Sequence, residues 1–535
     1  MNKKFSRART AAQAAHFVPF RRSVAYAAIL AASSFIAAPA FAQSALGSFA
    51  GGLIVSSASY VDPGFSVGAS LPISTGANAV AGSSFCANAN CSVNVWNNAS
   101  VDANFGITAN VVMQNINAST GAVLNTVNVT AQAASQGINL VTSFASKSEL
   151  AINLTPDGQS LTFMGYASTT GLLDVSNSAT PGVAEAGNTD TATASYRSIG
   201  QLNLNNNSVQ VTNTNAYSGN NGRAAILGAD GNYYTTGNAG NGNGGAGITN
   251  GTGVQRIAPG SNPSTTTLSN VAPYSITQNG YAADKTAKDS NYRGETVYNG
   301  TLYVTKGSGS NGIDTVYQVG NAGSLPGAGN TTVSILPGFN TLLAKTDTMT
   351  PHPFGIWFAN ATTLYVADEG SGATTDFGSN ATTLAGGLQK WSLVNGTWVL
   401  NYTLRGSLIG SSFTVNDGNG HSLTTFTDGL RNLTGQVNAD GTVTLFAATS
   451  TAGSALGDSG ADPNQVVSIT DTLADTTASQ AASEDFTVLD TAALGQAYRG
   501  VALAAPVPEP ETYAMLLAGL GLLGFAARRK KQKAA

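Results

Sequence analysis

Four arginines recur at one place in a repeated pattern: Arg223, Arg293, Arg431 and Arg499 each stand at the head of a short apolar strand-forming run. Only 13 basic residues lie between residues 43 and 507, so four at one repeat position form a constellation. A guanidinium is a planar fork of donors that pairs bidentately with carboxylate or phosphate. A ring of them at one mouth of a repeat fold would suit an acidic ligand such as uronic-acid polysaccharide. The same placement also fits a structural role, in which each arginine ties neighbouring repeats together through an Asp or a backbone carbonyl. Both readings stay open at the level of sequence.

Other residues imitate chemistry without completing it. Gly457-Asp458-Ser459-Gly460 copies the nucleophile segment of trypsin-like proteases, but Ala461-Asp462 follows and no histidine motif precedes it; a triad is defined by geometry, not by four letters. Gly242 to Gly247 fits a dinucleotide fingerprint, yet no strand-to-helix context surrounds it. Asp458 with Asp462, Asp417 with Asn416 and Asn419, and Asp368 with Glu369 group hard oxygens on loops, but none forms a full calcium loop, and Asn and Asp are ordinary turn residues. Beyond the N-terminal segment only His352 and His421 remain, and neither sits in a ligand pattern. Cys86 and Cys91 are the only cysteines; a local disulfide is the expectation for an oxidising compartment, with two free thiols as the alternative. The sequence predicts no catalytic residue, no metal and no cofactor.

The elements that would position the arginines are short strands. Charged residues make up only 10% of the chain against about 25% in ordinary globular proteins, and glycine reaches 62 residues. Thr, Val, Tyr and Phe recur between Asn, Gly and Asp clusters, the pattern of turn-rich all-β structure. Hairpins are predicted around Asp157-Gly158, Asp230-Gly231, Asn299-Gly300 and Asp440-Gly441, with a variant turn at Asn360 to Thr362. Looser pairs follow, such as Gly387 to Leu393 with Trp398 to Leu404, and Gln465 to Ile469 with Phe486 to Leu489. Four strands per unit is the pattern of propeller blades, which leave few open edges. The Gly/Asn-rich stretch 237 to 253 reads as an exposed loop. The last strand, Arg499 to Ala504, has no later partner; Gly52 to Ser57 and the pair within Ala109 to Val129 would complete its blade. The expected body, residues 43–505, is a β-propeller of six four-stranded blades, closed by pairing of the N- and C-terminal strands.

The two ends read as addresses. Lys3, Lys4, Arg7, Arg9, Arg21 and Arg22 precede an apolar run from Val24 to Ile36, and Ala40-Phe41-Ala42 supplies the small-x-small pattern of signal peptidase. Residues 1–42 are therefore expected to be a signal peptide cleaved before Gln43. At the other end, residues 506–535 hold Pro508-Glu509-Pro510, an apolar stretch over 513–527, and then Arg528, Arg529, Lys530, Lys531 and Lys533. A helix over that stretch spans only ~22 Å at 1.5 Å per residue, short of the ~30 Å hydrocarbon core. The basic cluster would stop transfer and stay cytoplasmic, leaving the body outside after transient membrane insertion.

This three-part ending resembles the PEP-CTERM sorting tail of Gram-negative bacteria that make extracellular polysaccharide. The resemblance implies that Pro508, Glu509 and Pro510 are the recognition triplet and that an exosortase, a membrane cysteine protease, is a partner that cuts near it. The body, with Gly386 to Trp391 and Tyr498 to Ala502, is similar to propeller-type exported proteins that carry such tails.

Charge narrows the function classes. Residues 43–507 carry 26 acids against 13 bases, a net charge near −13, and a body of that sign lacks the basic face that nucleic acid needs. The leading expectation is a non-enzymatic surface or matrix protein of the cell envelope or exterior that binds polysaccharide or another exported protein. The alternative is an extracellular propeller enzyme acting on polysaccharide or phosphoesters. A convergent acid pair, or His and Arg with an acid at the channel mouth, would mark the second.

Overall fold

Turn chemistry sets the repeat. At Asn299-Gly300 the two loop residues take φ of 47° and 74°, and Tyr298 pairs directly with Thr301. Two consecutive left-handed residues make the type I′ turn whose twist matches the flanking strands. The computed structural model describes residues 49, 51–60, 106–143, 148–185, 193–240, 245–261, 263, 268–327, 329, 331–346, 351–372, 386–416, 422–452 and 462–504.

The strands form six antiparallel sheets. The first blade begins with β1 (Leu53–Ser59), β2 (Thr108–Ile116) and β3 (Val123–Asn128), followed by helix α1 (Val129–Ser135) and by β4 (Thr142–Ser143), which pairs with β2. Asn128 caps α1 by accepting from Ala131 N at 2.9 Å, and the helix buries Val129 and Ala133 against this blade and the next. The second blade is β5 (Asn153–Leu154), β6 (Ser160–Tyr166), β7 (Arg197–Asn203) and β8 (Val209–Thr214). The third is β9 (Gly222–Leu227), β10 (Tyr233–Gly237) and, after helix α2 (Ala246–Asn250), β11 (Gly253–Ile257). The fourth is β12 (Glu295–Tyr298), β13 (Thr301–Lys306), β14 (Thr315–Val319) and β15 (Val333–Ile335). The fifth is β16 (Pro353–Asn360), β17 (Thr363–Asp368), β18 (Gly387–Val394) and β19 (Thr397–Leu404). The sixth is β20 (Ser412–Asn416), β21 (Ser422–Val437), β22 (Thr442–Ala452), β23 (Gln465–Thr472) and β24 (Thr487–Thr491). Finally β25 (Gln496–Leu503) returns to pair with β1, Ile54 opposite Ala502 and Val55 opposite Val501. The body is a six-bladed β-propeller sealed by strands from both ends of the chain.

Two expectations need correction. Blades are not uniformly four-stranded: the first, with β25 and β4, has five strands. The third has three strands; where a fourth would lie beside β11, only the bridge of Gln255 to Asn270 and the bond from Val271 N to Val254 O remain, and Pro273 follows at once. The sixth has five, because β21 runs through register shifts at Thr427/Gly429 and Leu430/Leu433, so its first half pairs with β20 and its second half lines the axis. The stretch 237–253 is not simply an exposed loop: Gly237 to Gly240 are buried and α2 with β11 occupies its second half.

The core lies between blades. Along β1, Ile54 packs with Val111, Leu161, Phe163 and Leu202 toward the second blade, while Leu53 and Val55 pack with Phe446 and Val466 of the sixth. Period-two alternation on a sheet buried on both faces produces this division. The other four interfaces hold similar clusters, centred on Met164 with Tyr233, Tyr234 with Leu302, Phe358 with Val316, and Tyr365 with Leu445. Each fully buried Leu, Ile, Val or Phe contributes about 1.5–3 kcal/mol, so blade stacking, not any single sheet, carries the stability.

The innermost strands touch in the order β25, β5, β9, β12, β16, second half of β21, and back to β25. Their spacing depends on small residues. A Cβ on Gly294 would lie 2.2 Å from Phe354 O, one on Gly355 would lie 2.4 Å from Arg431 O, and one on Gly500 would lie 2.5 Å from Leu150 O.

Candidate functional site at the channel mouth

The glycine contacts define equivalent positions around the ring. Arg293-Gly294 meets Phe354, Phe354-Gly355 meets Arg431, and Arg499-Gly500 meets Leu150; Asn432 donates from Nδ2 to Arg499 O at 2.6 Å. Arg223, Arg293, Arg431 and Arg499 thus occupy one position on four inner strands, with Leu150 and Phe354 completing the six.

All four side chains are buried, at 3%, 9%, 3% and 1% exposure in chain order. Arg223 donates from Nη1 to Tyr292 O at 2.8 Å and to Asn291 Oδ1 in the next blade. Arg293 reaches past the third blade and donates from Nη1 to Ser148 Oγ, at the entry to the second. Arg431 pairs through Nε with Glu369 Oε2 at 3.2 Å, on the fifth blade. Arg499 donates from Nη2 to the Tyr60 hydroxyl at 3.0 Å. The set therefore ties blades together near the axis.

Two acids face the arginines. Glu149, at the head of the second blade, accepts from Thr142 Oγ1 at 2.8 Å, Ser143 N at 3.0 Å and Asn221 Nδ2 at 2.9 Å, and from the Tyr166 hydroxyl. Burial pushes its pKa up despite these bonds and despite the nearby Arg499 charge. Burial, and after it the Arg293 charge, holds Arg223 well below its usual basicity. Burial also lowers Arg293, which Glu369 and Asp314 partly offset and Arg431 reinforces. Guanidiniums remain protonated at physiological pH, so these shifts report the cost of crowded, buried positive charge.

Beneath the arginines lies a cavity of about 160 Å³, walled by β5, β12, β16, β21 and β25. Its lining includes Asn153, Thr296, Trp357, Asn432 and Thr434 but none of the four arginines. Glu295, also on its wall, is buried with both carboxylate oxygens lacking a hydrogen-bond partner, and burial raises its pKa well above the usual carboxylate range.

Sequence reasoning missed three groups. Glu149 sits at the blade entry where an arginine is missing, the one signal that could have marked it. Arg197 is fully buried, with Nε, Nη1 and Nη2 donating to the carbonyls of Asn220, Ser195, Ser176 and Ser178 at 2.8–3.0 Å and its guanidinium 5.1 Å from the Tyr166 ring centre. Between the fifth and sixth blades, Lys390 Nζ lies 2.7 Å from Asp471 Oδ2, and Tyr402 donates to Oδ1 of the same carboxylate at 2.5 Å while Tyr365 donates to Oδ2. Of the oxygen clusters, Glu369 is drawn into the arginine set, and Asp368 accepts from the backbone N–H of His352 at 3.1 Å and of Gly370 at 3.0 Å. Among the described residues no group of three or more His, Cys, Asp or Glu is placed to hold a metal. Cys86, Cys91, Ser459, His421, Pro508 to Pro510, the helix predicted over 513–527 and Arg528 to Lys531 lie outside the described residues. Among the described residues no helix is long and apolar enough to cross a membrane.

The fold and the closed ring define a six-bladed propeller, and comparison with known families adds its address. Residues 506–530 match the PEP-CTERM protein-sorting motif. The motif implies an exported protein, anchored or processed at the cell envelope, with an exosortase as its processing partner. No curated protein matches the chain. Among solved structures, the chain is similar to a Bacteroides uniformis protein described as a candidate 6-phosphogluconolactonase, with 12% identity, a TM-score of 0.29, and coverage of 74% of this chain and 92% of that one. A likeness of that size fixes neither substrate nor reaction.

Proposed function

We propose that this protein is a non-enzymatic component of the cell surface or extracellular matrix, which binds polysaccharide or another exported protein after release from its sorting tail. One observation carries the reading. β25 ends at Leu503 and the sorting motif begins at residue 506, so a cut near Pro508 to Pro510 leaves every blade, and the strand that closes the ring, intact. The expected cut by signal peptidase before Gln43 likewise spares β1, which starts at Leu53. The processed product is then a complete propeller outside the cell.

The acids facing the arginines are engaged within the protein. Arg431 is engaged by Glu369, and Glu149 is saturated by Thr142, Ser143, Asn221 and Tyr166. A general acid and base need a carboxylate free to exchange its proton with substrate. The test is to screen the purified chain against acidic and neutral glycans while assaying the same glycans for new reducing or unsaturated ends. Retention without new ends is the expected result; chain cleavage would replace this reading with an enzymatic one.

A further inference from the structure

We propose that Arg223, Arg293 and Arg499, beside the Arg431–Glu369 pair, form a buried seat for one small free oxyanion at the channel mouth. The inference is independent of the surface role proposed above and rests on donors that the protein itself leaves unused. Nε of Arg223, Nε of Arg293, and both Nε and Nη1 of Arg499 are buried with no hydrogen-bond partner. Each of these side chains is more than nine-tenths buried. A buried donor on a charged group is among the costliest atoms to leave without an acceptor.

The charge balance points the same way. Four guanidiniums face Glu149 and Glu369, and the third acid acting on Arg293, Asp314, is already matched by Lys306 at 2.6 Å. The acids acting on these arginines are thus fewer than the guanidiniums. Blade tying explains the bonds to Asn291, Tyr292, Ser148, Tyr60 and Glu369, but it leaves the four N–H groups and the excess charge without a counterpart. A tetrahedral oxyanion supplies both, since its several acceptor oxygens match a guanidinium fork and its charge offsets the surplus. Exposures of 1–9% admit a small ion rather than a polymer. The ring expected from the sequence to hold uronic-acid polysaccharide is thus assigned an ion of sulfate or phosphate type.

The test uses the purified full chain at constant ionic strength in chloride. Titrated sulfate is expected to raise Tm with the logarithm of its concentration above Kd, by about 3 °C at a hundredfold excess over Kd, and equilibrium dialysis with labelled sulfate to find one site per chain. Arg223→Gln and Arg499→Gln are expected to lose the bound label. Should either variant fail to fold, the dialysis on the unaltered chain stands by itself. A Tm indifferent to sulfate together with no bound label would overturn the proposal, as would undiminished label in folded R223Q and R499Q. Displacement of the label by an oligouronate at matched carboxylate concentration would overturn the assignment to a free ion; failure to displace upholds it.

Discussion

Replacing Gly355 by alanine tests whether glycine sets the radius of the inner ring. The new Cβ would lie 2.4 Å from Arg431 O and 2.8 Å from Leu433 N, both backbone atoms of β21. β21 cannot retreat freely, because its other side is paired with β22 at Leu433 and Thr434. Forcing a methyl into a packed site costs about 1–3 kcal/mol, and a rigid backbone obstacle places this case near the upper end. Stiffening the unfolded chain returns about 0.5 kcal/mol, leaving a net loss of about 2.5 kcal/mol. With about 2.1 cal/mol/K per residue over a body of roughly 450 residues, Tm falls by about 3 °C. Gly327→Ala is the control: its Cβ meets nothing within 4 Å, the site is exposed, and the same unfolded-state term should make it neutral or slightly stabilising. Urea unfolding followed by tryptophan fluorescence reads the ring directly, since Trp357 lies two residues along β16. Equal midpoints for the two variants would refute the idea that these contacts fix the ring.

Three further expectations follow from other parts of the body. Asp471→Ala removes the counter-charge of the buried Lys390 ammonium and the acceptor of two tyrosine hydroxyls, and should cost about 3–5 kcal/mol in chemical denaturation; a loss under 1 kcal/mol would show that water reaches the site. Burial, and then its hydrogen bond with Asp471, raises Glu484 to about 8. An acid that holds its proton more tightly when folded makes stability fall as pH rises from about 4.5 toward 8, so Glu484→Gln should flatten that fall in melts across the interval, and an unchanged slope would count against it. Replacing Pro508 and Glu509 should leave unprocessed chain in the membrane fraction by mass spectrometry, with the body's Tm unchanged; normal processing would dissociate the motif from the cut.

Much of this architecture was legible because its cues are local. Asp157-Gly158, Asp230-Gly231, Asn299-Gly300 and Asp440-Gly441 announced hairpins through turn chemistry alone, and the partnerless strand at Arg499 demanded a mate that only Gly52 to Ser57 could supply. The repeat position of the arginines was visible for the same reason. Their partners were not: Glu369 is separated from Arg431 by 62 positions and Ser148 from Arg293 by 145, distances over which no sequence period speaks. The buried pair of Lys390 and Asp471 was hidden likewise, since each looks like an ordinary surface charge until two blades enclose it. Strand count per blade failed where the segment beside β11 keeps a single bridge before Pro273, and where a bulged β21 served two roles.

The seam between β1 and β25 also decides how the body answers a tug. β25 is the last strand of the ring and lies at its axis, so tension applied beyond residue 504 enters along the strand and meets the paired positions from Leu53–Leu503 to Ser59–Gln496 in shear. A tail leaving from a rim strand such as β3 would instead unzip one bond after another. Tension drawn along that strand would thus load many bonds at once rather than open the ring one bond at a time.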